Sequence, residues 1–307
     1  MKNKNGAFAS TGSLGLEKVE LVFRDALQDV YGLLDWLPEA DGTIHRFHVP
    51  GDRPGSQNGW YVLFADGIAS GCFGSWKQSS THTWNSRQPA NPVEVQQLRQ
   101  RVAEARQQRL KEQRLRQQSA ASYAQKLWRD ARRADPAHLY PVTKKVKVHA
   151  LRQHRDRLLI PLCRDGELVN LQSIQPDGTK LFQSGGQVKG CYSPLGNIGP
   201  GKRLYICEGW ATGATLFEHT GDAVACAMNA GNLKPVAIAL RDKYPDADIV
   251  IAGDDDRLTE GNPGRTAAIA AALAVGAQVT FPEWPEEAPL ALSDFNDLHC
   301  WRLNNGD

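Results

Sequence analysis

The chain has 307 residues, 41% of them hydrophobic and 23% charged, with 36 Lys and Arg against 34 Asp and Glu for a net charge of +2. That balance excludes wholesale disorder and fibrous repeats, and the length suits about two domains with a sizeable core. The longest small-apolar run, 267–277, falls well short of the ~20 residues a bilayer span needs, and the first residues lack the apolar stretch of a secretion signal. The six cysteines (Cys72, Cys163, Cys191, Cys207, Cys226, Cys300) include no C-x-x-C pair. We therefore expect no membrane span, no disulfide scaffold, no bound zinc and a cytoplasmic setting.

Residues 1–15 are polar and read as a loose terminus. Over 16–37 apolar residues recur at helical spacing (Val19, Val22, Phe23, Ala26, Leu27, Val30, Leu33, Leu34), which predicts an amphipathic helix interrupted near Gly32. Strand signals follow at 44–49, 59–64 and 67–73, punctuated by Pro50-Gly51, Pro54-Gly55 and Asp66-Gly67. The region 16–88 thus reads as a small, aromatic-rich α+β module. Its Trp60, Tyr61, Phe64 and Trp76 are read as core side chains, with base stacking as the alternative. His45 and His48 are read as exposed strand positions and not as ligands.

Pro89 and Pro92 mark a boundary, and 93–133 is built of helix formers without Gly and with no Pro. Eleven Arg and Lys against four acids give this stretch a net +7. A solvated helix joining two domains is expected, contact with nucleic-acid phosphates being the alternative. Residues 134–200 begin with Lys144, Lys145, Lys147, Arg152, Arg155 and Arg157 and continue as a β-meander, with strands at 157–162 and 168–174 and turns at Asp165-Gly166 and Asp177-Gly178. From 201 to 307 strands (203–207, 223–227, 248–252, 277–280) alternate with helices (from about 210, 235–243, 264–274), the signature of a doubly wound, mostly parallel sheet. Here the charge inverts, to eight basic and sixteen acidic residues.

The chemical signal lies at strand ends in this last region. Glu208-Gly209 follows the apolar strand 203–207, Asp254-Asp255-Asp256 follows 248–252, and Ser293-Asp294-Phe295-Asn296-Asp297 lies beyond the last strand. Asp254 and Asp256, two apart in extended chain, share a side. Ligand crevices of open α/β sheets lie at the carboxyl edge, so the three segments are expected to converge there. Converging carboxylates repel one another unless a cation joins them, and oxygen donors without His or Cys favour Mg²⁺ or Mn²⁺.

Two nearby patterns mislead. The stretch 196–203 nearly spells a P-loop, but Arg203 lacks the hydroxyl for Mg²⁺ and the loop enters a strand instead of a helix. Lys202, just before that strand, remains a candidate for facing the site. The run 254–261 has the acids of a calcium loop without its spacing. Gly264-Arg265 opens a helix whose free N–H groups either simply start it or meet a phosphate.

Glu208-Gly209, Asp254-x-Asp256 and Ser293-Asp294-Phe295-Asn296-Asp297, in this order after strands, resemble the motifs of the Toprim domain, and the wording around them is similar to the primases of phages and plasmids. Upstream, 157–162, Asp165-Gly166, Thr179-Lys180-Leu181-Phe182 and Val188-Lys189-Gly190 resemble the basic subdomain that precedes Toprim in DnaG-like primases. The resemblance covers about 134–300. It implies Glu208 as general acid/base and Asp254, Asp256 and Asp294 as metal ligands, with Asp255 and Asp297 as neighbouring acids. Arg157, Lys180 and Lys189 would hold single-stranded DNA template or NTP. The implied activity is Mg²⁺-dependent synthesis of short RNA primers in phage, plasmid or mobile-element replication. No cysteine pair exists to build the zinc module of bacterial primases, and no helicase motor follows, so a helicase would act in trans. A nuclease of the same fold and a non-catalytic single-strand-binding or inhibitory module are the alternatives.

Overall fold

The computed structural model describes residues 16–78, 80–199 and 201–306; the terminus expected at 1–15 lies outside them. The chain divides into two compact units, 1–114 and 115–307.

In the first unit, α1 (Leu16–Tyr31) ends where Gly32 takes a left-handed φ of 86° and donates its N–H back to Gln28, a conformation that costs a residue without Cβ little. The helix expected over 16–37 is therefore shorter by its last turns. Four strands follow as an antiparallel meander in sequence order: β1 (His45–Phe47), β2 (Gly59–Phe64), β3 (Ser70–Ser75) and β4 (Ser80–Asn85). Successive side chains face opposite sides of the sheet. Phe47, Tyr61, Leu63 and Phe73 therefore pack beneath Val19, Phe23, Leu27 and Tyr31 of α1, whereas Trp60, Val62 and Cys72 turn to the other face. That second face meets Ala105 of α2 (Pro92–Asp130), a 39-residue helix that passes through the division between the units. The aromatics of this module are thus mostly core, and His45, stacked on Tyr61 with ring centroids 5.1 Å apart, is half-buried and not exposed.

In the second unit, β5 (Arg132–Arg133), β6 (Arg152–His154), β7 (Arg157–Arg164), β8 (Glu167–Ile174) and β9 (Lys180–Phe182) form an antiparallel sheet in that order, with α3 (Leu139–Lys144) between its first two strands in the chain. One face carries Leu159 and Leu171 against Ala124, Leu127 and Trp128 of α2. The opposite face, with Leu158, Ile160, Leu162 and Ile174, joins the largest core.

That core is shared with a second sheet of order β10-β12-β11-β13-β14. Its strands are β10 (Ser193–Leu195), β11 (Arg203–Cys207), β12 (Ala223–Cys226), β13 (Asp248–Ala252) and β14 (Gln278–Thr280). All pair in parallel except the β10 edge. The connecting helices are α4 (Trp210–Thr220), α5 (Ala230–Lys243) and α6 (Pro263–Val275), and α7 (Phe295–Asn305) closes the chain. Trp210, Ala211 and Ala214 of α4 pack on one face, and Leu233, Val236, Ala268 and Ala271 of α5 and α6 on the other, so the sheet is wound on both sides. All six cysteines are free thiols, and among the described residues no helix is long and apolar enough to cross a membrane.

Phe23 is fully buried and makes edge-on contacts with Tyr61, Phe73 and Trp84 at 5.3–5.9 Å between centroids. Phe23→Ala should cost about 3–5 kcal/mol in urea unfolding. A loss below about 1 kcal/mol would show that α1 does not share the module's cooperative core.

Candidate active site

The parallel ladder places the acids. From β11 the chain crosses through α4 to β12 on one side, then returns through α5 to β13 on the other. The outgoing connections of β11 and β13 therefore diverge, and a crevice opens between the carboxyl ends of these two strands. Cys207 pairs with Ala252, so Glu208 and Gly253 leave the sheet abreast and Asp254 follows. Asp294 arrives from elsewhere as the N-cap of α7, its Oδ1 accepting the Asp297 N–H at 2.8 Å.

The electrostatics show that these groups share one space. Burial, then Asp294, Glu208 and Asp256, push the Asp254 carboxyl up to about 8, and its buried Oδ1 has no hydrogen-bond partner. Glu208 is raised by burial and by Asp256 and Asp294, against the Ala230 backbone N–H and Lys180, which favour its charge. Asp294 is raised by burial and Asp297, against backbone N–H groups and Lys144. Two ammonium groups face this cluster. Much of Lys180 meets solvent, but crowding around its ammonium, together with Lys144, lowers its pKa against the pull of Asp294, Glu208 and Asp254. Lys144 Nζ lies 3.3 Å from Asp297 Oδ1.

The other expected residues divide. Asp256 is near enough to raise Glu208, and its Oδ2 accepts the Gly264 N–H at 2.8 Å, where a Cβ would collide with that same oxygen. Arg265 N donates to Asn262 Oδ1. Asp256 and Asn262 thus occupy the first N–H groups of α6 that the sequence left open for a phosphate. Asp255 points away from the cluster. It accepts from Asn262 Nδ2 (2.7 Å), Arg265 Nε (3.1 Å) and Trp284 Nε1 (3.2 Å), and against burial these partners hold its pKa down. Lys202 sits before the first residue of β11, about 20 Å along the strand from Glu208, so the structure does not bring it to the carboxylates. Arg157 adjoins the cross-strand row Leu158, Ile174, Lys180, at the same end of the antiparallel sheet as Lys180.

Lys189 is exposed on a loop that Asn232 anchors. Asn232, almost fully buried in the first turn of α5, accepts the Gly190 N–H at 2.7 Å and donates to the carbonyls of Val188, Cys191 and Ala227. The chain between β12 and α5 also touches Glu208, whose carbonyl accepts the Met228 N–H at 2.7 Å. Asn232, Lys144 and Tyr140 were not singled out from sequence. Lys144 stood in the basic run. Tyr140, buried with its hydroxyl unpartnered and its ring 5.7 Å from Lys180 Nζ, carried no signal beyond an apolar pattern.

A hard divalent cation fits this donor set, because an orphaned buried oxygen on Asp254 and several mutually repelling carboxylates offer only oxygen ligands. Among the described residues the trio of donor atoms within 4.8 Å of one another is instead Glu39, Asp41 and His45 in the first unit. The wider spacing of Glu208, Asp254 and Asp294 suits an ion that keeps part of its water shell.

Comparison with known proteins gives the class first. Residues 203–305 match the Toprim domain. Two curated relatives are each named DNA primase TraC, from Escherichia coli. One is 36% identical over 279 residues, covering 82% of this chain and 26% of the relative. The other is 34% identical over 281 residues, covering 85% and 19%. The chain thus spans about a quarter or less of the length of these relatives. Among solved structures, the Aquifex aeolicus primase (zinc-binding and RNA polymerase domains) aligns over 94% of this chain and 84% of that one, at 13% identity and a TM-score of 0.40.

The raised carboxyl of Asp254 has a consequence for stability. Unfolded, an aspartate ionises near 3.8, so between that value and about 8 the folded chain holds the extra proton. Stability contributed at this site is therefore lost as pH rises through the window. In chelator, Asp254→Asn should be more stable than the parent at pH 9 by on the order of 3 kcal/mol in urea unfolding, with the difference shrinking toward pH 4. A variant less stable than the parent at pH 9 would contradict this account.

Proposed function

We propose that the chain is the catalytic part of a primase-type nucleotidyltransferase that joins ribonucleotides into short RNA primers on single-stranded DNA. The observation that carries the reading is the meeting of Glu208, Asp254 and Asp294 at the crevice between β11 and β13, with Lys180 and Lys144 opposite. The names of the relatives and the Toprim match support it.

In this reading Asp254, Asp256 and Asp294 hold magnesium or manganese. The bound ion supplies charge neutralisation at the α-phosphate and a lower pKa for the attacking hydroxyl. Glu208, whose affinity for a proton is raised by burial, accepts the proton of the primer 3′-hydroxyl as the O3′–P bond forms and pyrophosphate leaves. Lys180, with Lys189 on the loop that Asn232 anchors and Arg157 near its row, holds the phosphates of NTP and template. Asp297 orients Lys144 toward Asp294. Asp255 and Lys202 have no part in the reaction. The setting implied is cytoplasmic replication of a plasmid, phage or other mobile element, alongside a replicative helicase.

With single-stranded template, Mg²⁺ and labelled NTPs, Glu208→Gln and Asp254→Asn should each lower primer synthesis by about 10²- to 10⁴-fold while circular dichroism reports an intact fold. Undiminished synthesis by both variants overturns the proposal. Shortening of the template without incorporation of label would assign the site to hydrolysis.

A further inference from the structure

The first unit carries a cationic flank, between α2 and β4, that the proposed reaction does not use. Helix α2 runs antiparallel to β4. Arg101 donates to the Ile68 carbonyl at 2.7 Å, next to the Ser70 and Asn85 pair, and Arg109 Nη1 donates to Thr81 Oγ1 at 2.8 Å at the other end of the strand. Strand β4 is an edge of its sheet. Its Ser80, His82 and Trp84 turn toward α1, with Ser80 bonded to Tyr31, His82 stacked on Phe73 and Trp84 against Phe23. Thr81, Thr83 and Asn85 turn to the α2 side and are exposed.

Along α2, Arg99, Val102, Arg106 and Arg109 follow at spacings of three, four and three, which makes one stripe, and the contact of Arg109 with Thr81 places that stripe on the flank beside β4. Arg99 and Arg106 are exposed, and among the described residues neither has an ion-pair partner. Arg109 lies over the rings of Trp60 and Trp76, 5.1 Å from each centroid, with its Nε buried and unpartnered. Burial and the charge of Arg106 both lower its pKa. The carboxylate one turn further on, Glu112, is already held by Arg46 at 2.8 Å. Three guanidiniums and a row of hydroxyl and amide groups thus line one flank, and among the described residues none of the three is paired with a carboxylate.

We propose that the flank between β4 and the stripe formed by Arg99, Arg106 and Arg109 binds the sugar–phosphate backbone of single-stranded nucleic acid. Guanidinium forks and threonine hydroxyls match phosphate oxygens. Arg99 and Arg106 stand about 10 Å apart along the helix, a span of several phosphates. The faces of Trp60 and Trp76 are taken by Arg109, so the flank offers bases no stacking platform and the contact is indifferent to sequence. This surface belongs to a different part of the chain from the carboxylates, and either assignment can fail without the other.

The test is fluorescence anisotropy of the full chain with a labelled oligothymidylate in EDTA, across about 50–200 mM salt. Arg99→Gln with Arg106→Gln should weaken binding roughly tenfold at low salt and make the log–log salt slope shallower by ~1.4, about 0.7 for each lost contact. Arg99→Lys with Arg106→Lys, which keeps the charge, should restore the slope. Lys111→Gln with Arg114→Gln, which removes equal charge outside the stripe, should leave it nearly intact. Unchanged binding by the glutamine pair, an equal loss from the Lys111 and Arg114 pair, or displacement of the DNA by polyglutamate at equal charge concentration would each overturn the proposal.

Discussion

Mutual repulsion among carboxylates organises the second unit. A hydrogen-bonded parallel ladder delivers Glu208 and Asp254 to the same edge regardless of their charge, and α7 adds Asp294 beside them. Bringing such groups out of water together is costly, and the protein only partly offsets it. Backbone N–H groups reach Glu208 and Asp294, Lys144 meets Asp297, and Lys180 adds positive charge nearby, yet the buried Oδ1 of Asp254 has no hydrogen-bond partner. The large shared core beneath, in which the antiparallel sheet and α4 pack on the parallel strands, holds these chain ends in place against that repulsion.

Much of this was legible because the relevant strands are short, apolar and followed at once by an acid. Residues 203–207 and 248–252 read as strands from composition, and two-residue alternation separated Asp254 and Asp256 from Asp255. Lys202 shows where such reading stops: closeness in sequence to a site strand counts for little when the residue stands at the wrong end of it. Strand β4 escaped notice because its apolar content is a single Trp84 in a run of Ser, Thr, His and Asn. Strand β10 lies far from its partner in the chain and contains Pro194, tolerated because β10 is an edge. Helix α5 begins at Ala230, five residues ahead of the proline expected to open it, so Pro235 lies inside the helix, where it has no N–H to offer the preceding turn. Helix α7 offered an acidic N-cap and little amphipathic pattern.

The near-zero net charge of the whole chain conceals two opposite local arrangements of charge. In the second unit acids gather and leave lysines to balance them. In the first, guanidiniums gather and their nearest acid is committed elsewhere. Average charge therefore says little about what such a protein holds, whereas the pairing state of each ionic group says a good deal.

Asn232 has an effect that reaches past its own position. One side-chain amide ties Gly190, Val188, Cys191 and Ala227 together, giving a segment without regular secondary structure the bonding that a strand would receive from its neighbour. In heavy water the Gly190 amide should therefore keep its proton on the timescale of the core, far longer than its place on a loop suggests. A stretch that looks pliant in the amino-acid string behaves instead as part of the rigid frame.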